Sequence, residues 1–193
     1  ALDCGTGAPP DRRGRFHTHE SVAQPVRALA DRMGHVTARE VVGFFYSGTD
    51  RLGRRPDFVA AKPDGGFRMW DVSIVDTCAS SFVDFAARHD LGASRKRDAT
   101  KRAKYDGVDD PAGCSNMGHT FIPLALETTG AFGPSMQAWF QSYIGSLREK
   151  ELAEGGTGWE ATATSIYWQQ RISTSLHRSI GIRMAARMHV HVL

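Results

Sequence analysis

The chain has 193 residues, with 24 Lys plus Arg against 21 Asp plus Glu and a formal charge of +3. Hydrophobic residues at 41 % and charged residues at 23 % allow a sizeable core and exclude wholesale disorder, and the length sets one domain, or one domain with an appendage. No apolar run approaches the ~20 residues of a membrane span, no signal peptide or lipidation motif is evident, and three distant cysteines (Cys4, Cys78, Cys114) supply neither a disulfide framework nor a complete zinc site. The abrupt start, ALDCGTGAPPDRRGR, reads as a piece cut from a longer polypeptide.

Residues 1–15 are rich in Gly, Pro and Arg and read as a mobile leading segment. From His19 to Met33, Val22, Val26, Leu29, Ala30 and Met33 recur at helical spacing. Pro25 falls inside that window, so it either belongs to the first turn or kinks the helix. Arg39–Tyr46 is β-branched and aromatic and predicts a strand. Asp57–Lys62 and Phe67–Val75 predict two more, joined by Pro-Asp-Gly-Gly at 63–66. A long helical stretch follows over Ser80–Tyr105, with Phe82, Phe85, Ala86 and His89 as its buried face and Gly92 bending or dividing it. Thr120–Leu126 predicts a fourth strand, reached through a helical crossover and so able to pair in parallel. Pro134 opens a further helix, with Met136, Trp139, Phe140, Tyr143 and Leu147 on one side, and Ala161 to about Met188 predicts the last one. The expected class is α/β (α+β), a mixed sheet of about four strands flanked by helices.

The informative stretch is RRPDFVAAKPDGGFRMWDVS. Asp57 stands at the mouth of one strand and Asp71 inside the next, amid Met, Trp and Val, where an unpaired carboxylate is expensive. A three-residue loop over 63–65 sets Asp57 directly opposite Asp71, on one face, with β-carbons ~4.5–5.5 Å apart. A two-residue loop sets them on opposite faces. Two carboxylates that close repel unless a proton or a cation joins them, and Mg²⁺ suits one or two carboxylates completed by water and phosphate oxygens. The bland alternative has Asp57 capping a turn and Asp71 paired with Arg55 or Arg68.

The second feature is a basic run. Arg88 to Lys104 holds seven Lys or Arg and two Asp, +5 over 17 residues, which leaves the rest of the chain at −2. Arg97, Lys101 and Lys104 fall at i, i+4 and i+7 on one helical face. Such a row is either a solvated helix face or a contact surface for a phosphate backbone. The eight histidines form no HExxH and no triad, and GxGxxG, Walker A and GxSxG are absent. Glu127 is read as a site acid or a helix cap.

Pro56-Asp57, thirteen intervening residues, Asp71-Val72-Ser73, then Lys101-x-x-Lys104-Tyr105 and Phe121-Ile122-Pro123-Leu124 with Glu127-Thr-Thr-Gly130 together resemble the restriction-endonuclease-like domain of non-LTR retrotransposon polyproteins, a branch of the PD-(D/E)xK nuclease superfamily. The resemblance covers roughly residues 15–140. It implies a mobile segment 1–15 in which Cys4 is the remnant of a zinc knuckle, an endonuclease-like core over 16–140, and a C-terminal helical extension over 141–193. Arg15-Phe16-His17-Thr18-His19 is similar to the Arg-His motif that opens the family's first helix, with residues inserted. The superfamily lysine, two residues after the second acid, is replaced here by Ser73. In the retrotransposon branch the following helix supplies it, which implicates Lys101 or Lys104, the latter favoured by its neighbour Tyr105.

The resemblance implies a metal-dependent DNA endonuclease that nicks target DNA for integration. Asp57 and Asp71, with the Val72 or Ser73 carbonyl, would hold Mg²⁺ (or Mn²⁺), and Glu20 would be a further acid. Arg95, Arg97, Lys101, Arg102, Lys104 and Tyr105 would contact the DNA backbone. The implied setting is nuclear, without a membrane, with the element's RNA and an upstream reverse transcriptase domain as further partners. The alternatives are a catalytically inactive nuclease fold that binds nucleic acid or a protein, and an unrelated small-molecule enzyme with a fortuitous Asp pair.

Overall fold

The computed structural model describes residues 12–39, 55–106 and 113–190. The expected strand Arg39–Tyr46 therefore lies almost wholly outside the described residues, as do Cys4 and most of the leading segment. Four strands form one sheet in the order β1-β2-β3-β4: β1 (Thr37–Arg39), β2 (Phe58–Ala61), β3 (Phe67–Val75) and β4 (Thr120–Glu127). The first three are antiparallel neighbours, and β4 pairs in parallel with β3. The sheet is mixed and carries helices on both faces, as the order of elements implies. None of the described helices is long and apolar enough to cross a membrane.

The register of β2 on β3 pairs Phe58 with Trp70 and Ala61 with Phe67. The Lys62 N–H closes the loop onto the Gly66 carbonyl (3.1 Å), leaving residues 63–65 as the connection. This is the odd loop that places Asp57 and Asp71 at the same level. Gly66 permits it for two reasons. Its φ of +73° is left-handed, and a Cβ there would lie 2.3 Å from the Gly118 carbonyl oxygen.

Alternation along β3 then divides the molecule. Trp70 and Val72 point into the larger core with Phe58, Ala60, Leu124 and Leu126. That core is closed by α1 (Arg12–Arg32), which contributes Val22, Val26, Leu29 and Ala30, and by α4 (Pro134–Ala153), which contributes Met136 and Phe140. Across both lies α5 (Trp159–Val190), through Trp168, Ile172 and Leu176. The division expected at residue 140 falls inside α4. Within residues 141–190, Ile144, Ala161, Trp168, Ile172 and Leu176 belong to the central core, so this segment packs into it rather than forming a tail. Likewise α1 begins at Arg12, so residues 12–15 are helical rather than part of a leading segment. Pro25 lies well past the first turn and the helix runs through it.

The opposite face of β3 meets the stretch expected as one helix. It is divided into α2 (Val83–Ala86) and α3 (Gly92–Tyr105). A Cβ on Gly92 would lie 2.6 Å from the Phe85 carbonyl oxygen, so this glycine lets the two helices touch through their backbones. Phe82 and Ala86 pack against Val75, Ala93 and Ala125. Phe85 and His89, expected on the buried face, are exposed, because the break at Gly92 ends the periodicity that would have turned them inward.

Candidate functional site

Where β2 ends, the edge of β3 needs new partners. The Asp57 N–H donates to the Trp70 carbonyl (2.9 Å), the last main-chain bond on that side. The next outward-facing backbone groups on β3 are those of Val72. Side chains satisfy both: the Asp57 carboxylate accepts from the Val72 N–H at 2.6 Å, and His19 Nε2 lies 3.1 Å from the Val72 carbonyl. The same Nε2 is 3.1 Å from Asp57 Oδ2. Both oxygens are acceptors, so Nε2 carries a proton and is shared between them.

Asp71 stands one residue along, 4 % exposed, on the face toward α3. Its partner is Lys101, whose ammonium pairs with Asp71 Oδ2. Arg68, one of the bland-alternative partners, lies on the other face, where His35 Nε2 accepts from it at 3.0 Å. The two acids, one from each antiparallel strand, thus converge with one histidine from α1 and one lysine from α3. Burial holds the Asp71 carboxyl above the usual carboxylate range. The Asp57 charge adds to that rise and Lys101 opposes it. The hydrogen bond to Asp57 leads in raising His19 above its ordinary value, against the opposing effect of burial, so the imidazolium form is favoured. Two carboxylates and two cations leave the cluster close to neutral.

A group whose folded value lies above its unfolded one stabilises the fold below the unfolded value. That stabilisation is lost as pH rises through the folded value. His19 therefore supports the fold fully below its ordinary 6.5 and withdraws that support as pH climbs past its raised value. In His19→Gln, which keeps an N–H donor but does not titrate, urea midpoints are expected to lose this decline above pH 6.5. An identical pH profile in both proteins would show that His19 titrates without linkage to folding.

The remaining predicted residues fall into three groups. Glu20 lines a small cleft of about 70 Å³ beside His19 and Asp57, and its carboxylate pairs with Arg39. Arg95, Arg102 and Lys104 are exposed on α3 and Arg97 is half-buried, whereas Lys101 turns inward to Asp71. The expected row Arg97, Lys101, Lys104 is therefore split. Lys104 stands over the Tyr105 ring at 5.4 Å, and Lys101 is the lysine at the acids. Tyr105 is 1 % exposed, stacked on Phe121 at 4.3 Å, with its hydroxyl donating to the Arg55 carbonyl (2.9 Å). Its assignment to DNA contact is corrected: it anchors the end of α3 to the segment that leads into Asp57. Glu127 is a helix cap, its Oε1 accepting from the Ser94 N–H (3.1 Å) and hydroxyl (3.0 Å) near the start of α3.

His19 is the site residue that sequence reasoning did not single out. Its signal was position alone: it precedes Glu20 on the first helix and lies in the segment similar to the family's Arg-His motif. Among the described residues, no group of three or more His, Cys, Asp or Glu is gathered as a metal cluster. The oxygens that could hold a cation are those of Asp57, Asp71 and the Val72 carbonyl, which in this structure are engaged by His19, the Val72 N–H and Lys101. This is a hard set of the kind Mg²⁺ takes when phosphate and water complete its shell. The Ser73 carbonyl points the other way, by alternation, toward β4. Compared with models of known protein families and with curated proteins, the chain matches none.

Proposed function

We propose that this chain is a metal-dependent DNA endonuclease domain with a restriction-endonuclease-like fold, of the kind found in non-LTR retrotransposon polyproteins. The observation that carries the reading is the convergence of Asp57 and Asp71 from adjacent strands with Lys101 reaching them from the following helix.

Mg²⁺ (or Mn²⁺) would be held by the two carboxylates and the Val72 carbonyl, and would supply acidified water and charge screening at the phosphate. The chain's own groups do the rest. Lys101 faces the acid that would lie against the scissile phosphate, so its ammonium can neutralise charge as it develops there. His19 holds Asp57 and the Val72 carbonyl together and keeps both aligned along the β3 edge. Arg95, Arg102 and Lys104, outward on α3, face solvent where a phosphate backbone could run. Element RNA, the upstream reverse transcriptase domain and a nuclear setting belong to the same proposal.

One observation favours a second reading, a nuclease fold that binds nucleic acid without cutting it. His19 and Lys101 already neutralise both acids, so the cluster is stable as a structural knot. Supercoiled plasmid decides between them. Conversion to the nicked circle with Mg²⁺, and none with EDTA, is the expected result. Binding without nicking under Mg²⁺ and Mn²⁺ alike would establish the second reading.

A further inference from the structure

A second concave feature lies on the α3 side of the sheet. It is a cleft of about 350 Å³ between α2 and the first turns of α3, with Ser81, Asp84, Phe85, Arg88, His89 and Lys96 in its lining. Phe85 is 39 % exposed, and its ring meets that of His89 at 4.3 Å between centroids. The half-exposed ring stands beside two basic side chains of the same lining, Arg88 and Lys96. Lys96 is fixed because its ammonium donates to the Ser81 carbonyl (2.7 Å) and stands 5.6 Å from the Phe82 ring centroid. Arg88 is exposed on the same rim.

The backbone holds this arrangement at a cost. Leu91, between the ring pair and α3, has φ +56°, the only left-handed residue other than glycine among those described. With Gly92 pressed on the Phe85 carbonyl, it turns α2 so that Phe82 and Ala86 cover the core and Phe85 and His89 face out. The aromatic face is therefore presented by a backbone that cannot relax without separating α2 from α3.

We propose that this cleft binds an unpaired nucleotide of single-stranded DNA, its base on the Phe85–His89 ring pair and its phosphates on Arg88 and Lys96. This extends the endonuclease reading given above and rests on it for the choice of DNA. Aromatic faces with interleaved cations are what sequence-tolerant single-strand binders use, since every base offers a π-face and every step a phosphate. In a duplex those faces are already stacked, so the rings select unpaired DNA. Asp84, an acid in the same lining, repels phosphate and keeps it to the Arg88–Lys96 side. Charge complementarity supports a polyanion, because residues 88–104 carry +5. Lys96 and Lys101 are five residues apart on α3, about 7.5 Å of helical rise. The cleft and the acid pair therefore lie along the same helix.

The test is fluorescence anisotropy in EDTA, comparing a short oligo(dT) with a blunt-ended duplex. Phe85→Leu, which keeps an apolar side chain and removes the π-face, is expected to weaken oligo(dT) binding about tenfold while duplex affinity holds. Phe85→Tyr is expected to bind oligo(dT) like the wild type. Unchanged oligo(dT) affinity in Phe85→Leu, equal losses on both DNA forms, or a Tyr variant as weak as the Leu variant would each overturn the proposal. Plasmid nicking is scored separately. A chain that nicks but binds oligo(dT) independently of Phe85 loses only the cleft, whereas one that needs Phe85 for oligo(dT) but never nicks loses only the nuclease reading.

Discussion

Asp71→Asn is expected to lower Mg²⁺-dependent nicking by about three orders of magnitude, with DNA affinity unchanged or higher. A metal-held reaction centre contributes several kcal/mol to the transition state, and each ~1.4 kcal/mol is a factor of ten. Asn preserves the shape of a side chain that is 4 % exposed but removes the charge. The same change lifts one repulsive carboxylate from the path of a phosphate, which is why binding does not suffer. It also frees Lys101 from its ion pair, so a urea midpoint must accompany the rate to show that the variant is folded. Equal nicking rates in the folded variant and the wild type would remove Asp71 from the chemistry.

Lys101→Met is expected to cost about 3–5 kcal/mol of stability at neutral pH, the usual result of leaving one member of a buried pair alone. The Lys101 and Asp71 side chains are only 16 % and 6 % exposed, so water screens the pair little. In the variant Asp71 faces Asp57 with no adjoining ammonium. The sign of the pH dependence follows from burial, which already holds the Asp71 carboxyl above its ordinary 3.8. An acid raised in the folded state favours folding below its unfolded value and loses that contribution as pH rises through its folded value. Removing Lys101 pushes the folded value higher still. The deficit of the variant should therefore be small in acid and grow toward neutrality, as read from urea midpoints over a pH series. Asp71→Asn placed in the Lys101→Met background should recover most of the loss at neutral pH. A deficit that does not vary with pH would assign the effect of Lys101 to packing rather than to charge.

Much of the sheet was legible because its signals are local. The alternation in Phe67–Val75 and the Pro-Asp-Gly-Gly turn fix a strand and a hairpin, but they leave its loop at two residues or three, and the register turns on that choice. The bond from the Lys62 N–H to the Gly66 carbonyl chose the three-residue loop, and with it the common level of Asp57 and Asp71. The apolar positions of α1 and α4 were readable, since helical spacing depends only on neighbours in the chain. Phe85 and His89 were misplaced because the spacing was carried across Gly92, where the backbone turns and α2 meets α3.

The acids, the strands that carry them and the basic character of residues 88–104 are properties of the sequence by itself, since they follow from residue type and strand alternation. The partners of those acids are not. Lys101 lies 30 positions from Asp71, and His19 lies 38 from Asp57. No periodicity spans such distances, and the resemblance favoured Lys104, where the structure sets Lys101 at the acid. Tertiary packing chose between them: Tyr105 buried against Phe121 and tied to Arg55, together with Ser94 bound to Glu127, fixes the rotation of α3 about its axis. With that rotation set, Lys101 points into the sheet and Lys104 out to solvent, because residues three apart on a helix cannot both sit over the same buried carboxylate while the helix is held at both ends.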